Sequence, residues 1–245
     1  QINDQTFIDS IFLKNGYHSP RDFKKTSIGD AEIESRYRYF NSKRIGLALR
    51  GRLQMPTTQY KPDIRNIADK DMDESNWALK LAAIQEFRLI PEKLDISTAV
   101  WGKWRAPHKR TMAFRKDNTQ SLPNLNDPYQ IEDVTRQRGA ELNVSSGANL
   151  SFFKTLLNFM GTYHFTKKQS DRIYGQRNLQ YNSWTDGSAT ELHAFESGFE
   201  ISTISAFLRN KFPAPARVSL SYFKPFAGKN TYYAPYWRLD VIMLF

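Results

Sequence analysis

The amino-acid sequence predicts an all-β protein, an antiparallel up-and-down transmembrane β-barrel of about ten strands. Three observations favour this fold class. Aromatic residues make up 14% of the 245 residues, although the mean hydropathy of −0.61 would suit a soluble protein. Apolar and polar residues alternate with period two in one segment after another. The connections alternate between short turns and long polar loops, as expected of a strand-built membrane protein.

The composition excludes several other classes of protein. Cysteine is absent, which rules out disulfides, cysteine nucleophiles and thiolate metal sites. The apolar runs fall far short of the roughly 20 residues of a transmembrane helix. The net charge of +10 is spread through almost every segment instead of forming one basic patch, so no nucleic-acid partner is predicted. Gln1–Gln5 show no secretory signal, so an exported protein would be a mature form or a later fragment.

Each predicted strand has one apolar and one polar side. In the first, Ala31, Ile33, Tyr37 and Tyr39 alternate with Glu32, Glu34, Arg36 and Arg38. The same pattern predicts further strands over residues 45–55, 77–89, 94–105, 140–150, 157–165, 195–207, 217–222 and 237–245. Continuing the up-and-down order back along the chain adds an earlier strand from Thr6 to Leu13, which gives ten.

The connections predict a single barrel domain over residues 1–245. Short periplasmic turns are expected near Lys43, Glu92, Lys154 and Pro213, and long external loops near residues 57–76, 107–138 and 168–190. Pro123 and Pro128 in the second long loop favour disorder or docking on a partner. Basic residues in all three loops suit contact with the phosphates of lipopolysaccharide.

The end of the chain resembles the C-terminal strand signature of bacterial outer-membrane proteins, which the barrel-assembly machinery reads. The residues that carry this resemblance are Trp237, Leu239, Val241, Met243 and Phe245. It implies a location in the outer membrane of a Gram-negative bacterium.

A second resemblance covers residues 28–58, where Gly29 and Asp30 precede a strand, a turn and a second strand that ends at Pro56 and Thr57. This stretch is similar to one in the MetA-pathway phenol-degradation outer-membrane proteins, relatives of the FadL-like channels. The resemblance implies about a dozen strands and passage of small, often apolar, molecules. Thr58 stands where that family has Gly, and the chain starts one hairpin late. The barrel is therefore smaller, or has 12 strands with N-terminal strands missing.

The polar sides of the strands supply the candidate pore-lining residues. These are Glu32, Glu34, Arg36, Arg38, Arg50, Arg52, Lys80, Glu86, Arg88, Glu141, Glu196, Glu200, Arg238 and Asp240. The two signs of charge nearly balance on these polar sides, so one interpretation is an ion-paired, watered lining that fills a small barrel. The other is an anion-selective constriction formed by the ladder of Arg36, Arg38, Arg50 and Arg52.

The remaining chemistry-bearing residues predict no reaction. The four histidines are scattered without metal-ligand spacing, and Glu196 and Glu200 near His193 and Ser197 form no recognisable nucleophile arrangement. No cofactor, metal or enzymatic activity is expected. Aromatic residues near strand ends are interpreted as interfacial girdles; they include Tyr39, Phe40, Trp77, Trp101, Trp104, Tyr163, Phe165, Tyr236 and Trp237.

The sequence therefore predicts an outer-membrane channel for small hydrophobic or anionic solutes. The alternative is a structural barrel that anchors or scaffolds an envelope protein complex. The expected partners are outer-membrane lipid and lipopolysaccharide, with a possible envelope protein.

Overall fold

Twelve strands make up most of the residues that the structure describes. The computed structural model describes residues 10–18, 30–57, 64–65, 76–117, 119–153, 156–231 and 234–243. The strands are β1 (Ala31–Asn41), β2 (Ile45–Met55), β3 (Ala78–Ile90), β4 (Leu94–Arg105), β5 (His108–Ala113), β6 (Ile131–Gln137), β7 (Glu141–Phe152), β8 (Leu157–Lys168), β9 (Arg172–Tyr174), β10 (Thr190–Ser202), β11 (Ala216–Lys229) and β12 (Tyr236–Met243). Within the described ranges, no helix is both long and apolar enough to cross a membrane.

Nine of these strands form one antiparallel sheet in the order β1-β2-β3-β4-β7-β8-β10-β11-β12. Each strand pairs with the next strand of the sheet along the chain, which is the up-and-down order predicted from the sequence. The connections at one end of the sheet include the short ones at residues 42–44, 91–93 and 153–156, and those at the other end include the long ones at residues 56–77, 106–140 and 169–189. The last two connections, residues 203–215 and 230–235, do not follow the predicted alternation of short and long.

The strand register keeps all the polar sides on one face of this sheet. Across five neighbouring strands, Arg50 pairs with Ala82, Ala82 with Trp101, Trp101 with Asn143, and Asn143 with Thr166. We call this the polar face. The next position on every strand belongs to the opposite face, which we call the apolar face and which runs from Leu49 through Ala83, Val100 and Val144 to Phe165.

Burial in the sheet is inverted relative to a soluble protein. The exposed fractions of Tyr37, Leu239 and Val241 on the apolar face are 67%, 66% and 59%. The buried strand residues, among them Ala48 and Ala194, lie on the polar face. An apolar face of this extent is unfavourable in water and suits the hydrocarbon region of a bilayer.

The long connections fold into a second, smaller unit at one end of the main sheet. β5, β6 and β9 form a three-stranded sheet in that order, and we call this sheet with its flanking loops the cap. One core of the cap contains Met112, Phe114, Val134 and Leu179. A second contains Tyr17, Ala113 and Leu125, and Phe12 packs against it.

The cap corrects two expectations. Where disorder or docking on a partner was expected, the described residues of the loop at 107–138 pack against the chain's own N-terminal segment and third long loop. Residues 10–14 are helical where the strand from Thr6 to Leu13 was predicted; residues 6–9 lie outside the described part of the chain. The apolar positions of this segment serve the cap core, because Phe12 contacts Tyr17 edge to face. Most of the 57–76 loop, and Phe245, also lie outside the described residues.

The strand predicted over residues 195–207 ends earlier than expected. β10 stops at Ser202, and Ile204–Phe207 form a short helical turn. Thr203 accounts for the change, because its hydroxyl donates to the Ala214 carbonyl at 2.7 Å and accepts from the Ala216 N–H at 2.9 Å. These bonds fold the chain back toward β11 instead of extending the strand.

Arginine substitutions test the assignment of the two faces. Arginine at Leu49 or Val241 is expected to lower the free energy of unfolding by about 2 to 4 kcal/mol near the bilayer midplane. Arginine at Ser97 or Asn143 should be tolerated far better, since both lie on the polar face and Ser97 pairs with Glu86. Urea unfolding in lipid vesicles measures the difference, and equal losses at all four positions would show the face assignment to be wrong.

Candidate functional site

The register brings the four arginines of the predicted ladder together on β1 and β2. Arg36 stands directly opposite Arg50, so two like charges face each other across the first strand pair. Glu34 relieves this repulsion on one side. It accepts from Arg50 Nη2 at 2.6 Å and from Arg52 Nε at 2.8 Å, while Glu32 accepts from Arg52 Nη1 at 2.9 Å.

The other two arginines of the ladder reach across β2 to β3. Arg36 and Arg38 each lie 3.3 Å from the Glu86 carboxylate. To reach Glu86 they cross β2, where Gly46 pairs with Glu86 in the strand register. A Cβ at Gly46 would stand 3.0 Å from the Glu86 Oε2 atom. The absence of a side chain there therefore leaves room for this ion-pair cluster.

Glu141 does not neutralise the ladder. It accepts from Arg105 Nη1 at 2.7 Å at the end of the sheet nearest the cap, where the Arg105 side chain is nearly buried. Four ladder arginines share three carboxylates, those of Glu32, Glu34 and Glu86.

Charges are balanced on the part of the polar face formed by strands β8 to β12, which we call its far half. Arg238 lies between Glu196, at 3.4 Å, and Asp240, at 2.9 Å. Glu196 also lies 3.3 Å from His164, and Glu200 lies 3.7 Å from Arg217. On strands β8 to β12, each carboxylate of the polar face thus lies close to a positively charged or histidine side chain.

Positive and negative charges are not balanced on strands β1 to β4, which we call the near half of the polar face. The sequence predicted near-equality over all the polar sides together. Strands β1 to β4 place eight Arg or Lys residues on the polar face against four carboxylates, and Glu141 on the neighbouring strand β7 pairs with one of the eight, Arg105. The cations are Arg36, Arg38, Arg50, Arg52, Lys80, Arg88, Lys103 and Arg105, and the carboxylates are Glu32, Glu34, Glu86 and Asp95. These strands therefore carry more positive charge than the near-balance over all the polar sides would suggest.

A cavity of about 210 Å³ lies within this positive region. Arg50, Arg52 and Lys80 line one part of it, and the rest is formed by Ala82, Ile84, Ala99, Trp101 and Ser145. The Lys80 Nζ lies 3.8 Å from the ring centroid of Trp101, a cation–π contact. Trp101 therefore lies on the polar face, and its assignment to an interfacial girdle is wrong.

A buried carboxylate ties the cap to the main sheet. Only 1% of the Asp171 side chain is exposed, and it accepts from Arg136 Nη2 at 2.7 Å and from the Gly139 N–H at 2.9 Å. Lys168, at the end of β8, lies 2.8 Å away. Burial alone would raise the pKa of Asp171, but the bonds from Lys168, Gly139 and Arg136 outweigh it and hold that pKa below its ordinary value.

The residues that superficially suggested catalysis lie on different faces. Glu196 and Glu200 lie on the polar face, whereas His193 and Ser197 lie on the apolar face. His193 Nδ1 lies 2.7 Å from the Tyr163 hydroxyl, a neighbour on that same face. In the described part of the chain, no three His, Asp or Glu side chains converge as a metal site would require.

The sheet order, register and inverted burial define the class of fold as all-β, an antiparallel up-and-down transmembrane β-barrel. This confirms the fold class predicted from the sequence. No family model and no curated protein matches the chain. A solved structure does: the COG4313 outer membrane channel from Pseudomonas putida F1 has a similar fold, with a TM-score of 0.58 at 14% sequence identity. The match covers 89% of this chain and 66% of that channel, so this chain spans slightly less than two thirds of its length.

Removing the Asp171 carboxylate is expected to loosen the cap. Asp171→Asn leaves Arg136 and Lys168 facing a neutral group, which should cost about 3 kcal/mol of local stability at neutral pH. Because the folded pKa lies below the unfolded value of about 3.9, the stabilisation is complete above that value. It is lost as the pH falls through the folded pKa. Amide hydrogen exchange in β6 and β9 measures both effects.

A matched control for this substitution is Asp186→Asn, which removes an exposed carboxylate from the same long loop. Its exchange rates in β6 and β9 should equal those of the unmodified protein. Equal rates in the Asp171→Asn variant as well would contradict the role of Asp171 in holding the cap.

Proposed function

We propose that the chain forms a channel in the bacterial outer membrane that passes small solutes along the polar face, with a preference for anions. The observation that carries this proposal is the excess of cations on β1 to β4. Rings of Arg and Lys select anions in pores, because they lower the energy of an anion that has lost part of its hydration shell. On this proposal the protein catalyses no reaction.

The arrangement of ion pairs favours a hydrated lining rather than a sealed ionic core. The arginine side chains of the ladder retain between 34% and 48% of their exposure, although all four are ion-paired. Charges that keep access to water escape most of the desolvation penalty of a buried pair. Passing anions would thus meet guanidinium groups that are held in place but still solvated.

Passage of hydrophobic solutes also has support. Residues 28–58 resemble a stretch of the MetA-pathway phenol-degradation proteins, and the cavity beside Lys80 has an apolar wall that includes Ile84 and Trp101. The structurally similar protein from Pseudomonas putida F1 is described as an outer membrane channel. These observations favour a solute that is small and partly apolar.

A scaffold for an envelope complex is the second candidate, and the cap is the observation that favours it. The cap has two apolar cores of its own and a buried ionic connection to the main sheet, which a simple diffusion pore does not require. On either proposal the apolar face contacts membrane lipid. The basic residues of the long loops would contact the phosphates of lipopolysaccharide.

Conductance in planar lipid bilayers tests the channel. In a salt gradient the reversal potential of the unmodified protein should indicate a preference for anions. Replacing Arg36 and Arg50 together by Gln should weaken that preference, because it lowers the excess of cations over carboxylates on β1 to β4 from four to two. Unchanged selectivity with retained conductance would remove these arginines from the pore lining.

The matched control is the double substitution Arg209→Gln and Lys211→Gln. It removes the same amount of charge from the connection between β10 and β11, outside the polar face. This variant should keep the selectivity of the unmodified protein. An absence of conductance in every variant would contradict the channel and favour the scaffold.

A further inference from the structure

Some of the cationic side chains that line the cavity beside Lys80 have hydrogen-bond donors that are not used by carboxylates. Arg52 uses its Nε, Nη1 and Nη2 atoms on Glu32 and Glu34. Arg50 uses only Nη2 on Glu34, and within the described residues its Nε and Nη1 atoms have no further hydrogen-bond acceptor. In the same part of the chain, no carboxylate lies within 4 Å of the Lys80 ammonium group, whose contact is with Trp101. Two cations on adjacent strands are thus available to an incoming anion.

The rest of the cavity lining is mainly apolar, and Ser145 is its remaining polar residue. Ala82 pairs with Arg50 on one neighbouring strand and with Trp101 on the other, so its small side chain separates a guanidinium from an indole. Ile84 and Ala99 pair with each other and continue the apolar surface. A lining that served only to pair charges would have no need of an apolar wall beside two cations with free donors.

The size of the cavity restricts the occupant. Its volume of about 210 Å³ is below the roughly 300 to 1,000 Å³ of sites that enclose drug-sized ligands. A compound with one ring and one charged group is therefore the appropriate size.

We infer that this cavity is a binding site for a small carboxylate with an apolar body, such as an aromatic acid. The carboxylate would accept hydrogen bonds from Arg50 and Lys80, since a guanidinium presents parallel donors that match a carboxylate. The ring would contact Ile84, Ala99 and the accessible edge of Trp101. This inference rests on the proposed channel and deepens it by naming the class of solute.

Direct binding to the full chain in detergent tests the site, with benzoate and acetate as probes. Isothermal titration should show benzoate binding at least tenfold more tightly than acetate. Lys80→Gln and Arg50→Gln should each weaken benzoate binding by about tenfold, as expected for loss of a charged hydrogen bond. Ile84→Thr should reduce the preference for benzoate over acetate while it leaves acetate binding unchanged.

Arg217→Gln is the matched control, because Arg217 is an ion-paired cation on the far half of the same polar face. It should bind benzoate like the unmodified protein. Folding of each variant is checked by the shift in gel mobility on heating that β-barrels show. If Lys80→Gln unfolds the chain, Arg50→Gln and Ile84→Thr still test the site.

The possible results separate this inference from the proposed channel. Benzoate binding without conductance would support the site and contradict the channel. Conductance without benzoate binding would overturn the site and leave the channel in place. Equal affinity for benzoate, acetate and chloride would also overturn the inference, because it would reduce the cavity to a general attraction for anions.

Discussion

The structure depends on one constraint: a continuous antiparallel sheet must keep its apolar side chains on the outward face along every strand. In such a sheet a slip of one residue in register moves every side chain of a strand to the other face. Arginines would then enter the apolar surroundings, and leucines would enter the ionic lining. The bulges that break the ladder lie near strand ends, between Arg38 and Phe40, between Arg88 and Ile90, and between His193 and Ala194. Parity is therefore preserved along the central part of each strand.

The same constraint explains why the polar face is dense in ion pairs. With apolar side chains committed to the outside, long charged side chains must fill the inner face, and each needs a partner or water. Some pairs form across one strand interface, as between Glu34 and Arg52; others reach over a whole strand, as between Arg38 and Glu86. The far half carries fewer cations, and its carboxylates Glu196, Glu200 and Asp240 lie beside His164, Arg217 and Arg238. The near half consequently keeps the surplus of positive charge on which the proposed selectivity rests.

Much of the main sheet could be predicted from the sequence, because period two is a local signal that each strand carries by itself. The cap could not be predicted, since its contacts join residues far apart in the chain. Leu125 shares its apolar core with Tyr17 and Ala113, which lie in other segments of the chain. A three-residue strand such as β9 has too few positions to show an alternation. The segment around Phe12 was mistaken for a strand for the same reason.

The sequence predicted which residues form the candidate site, but not which residues they contact. Parity identified Arg36, Arg38, Arg50 and Arg52 as one group on one side of the sheet. Which carboxylates they contact depends on register and on Gly46, whose missing side chain lets two arginines reach Glu86. Trp101 was assigned from its position near a strand end, whereas its parity already indicated the polar face. The tryptophan in the cavity was therefore missed although the alternation contained the signal.

Site-directed spin labelling along β2 tests the central claim most directly, because the chain contains no cysteine and each introduced cysteine reports on one position. Single labels at residues 47 to 53 in lipid vesicles would be exposed to oxygen, which concentrates in lipid, and to a water-soluble nickel complex. The account predicts maxima for oxygen at positions 47, 49, 51 and 53, and higher accessibility to nickel at 50 and 52. Equal accessibility to the nickel complex at odd and even positions would show that both faces contact water, and would contradict the membrane-spanning sheet.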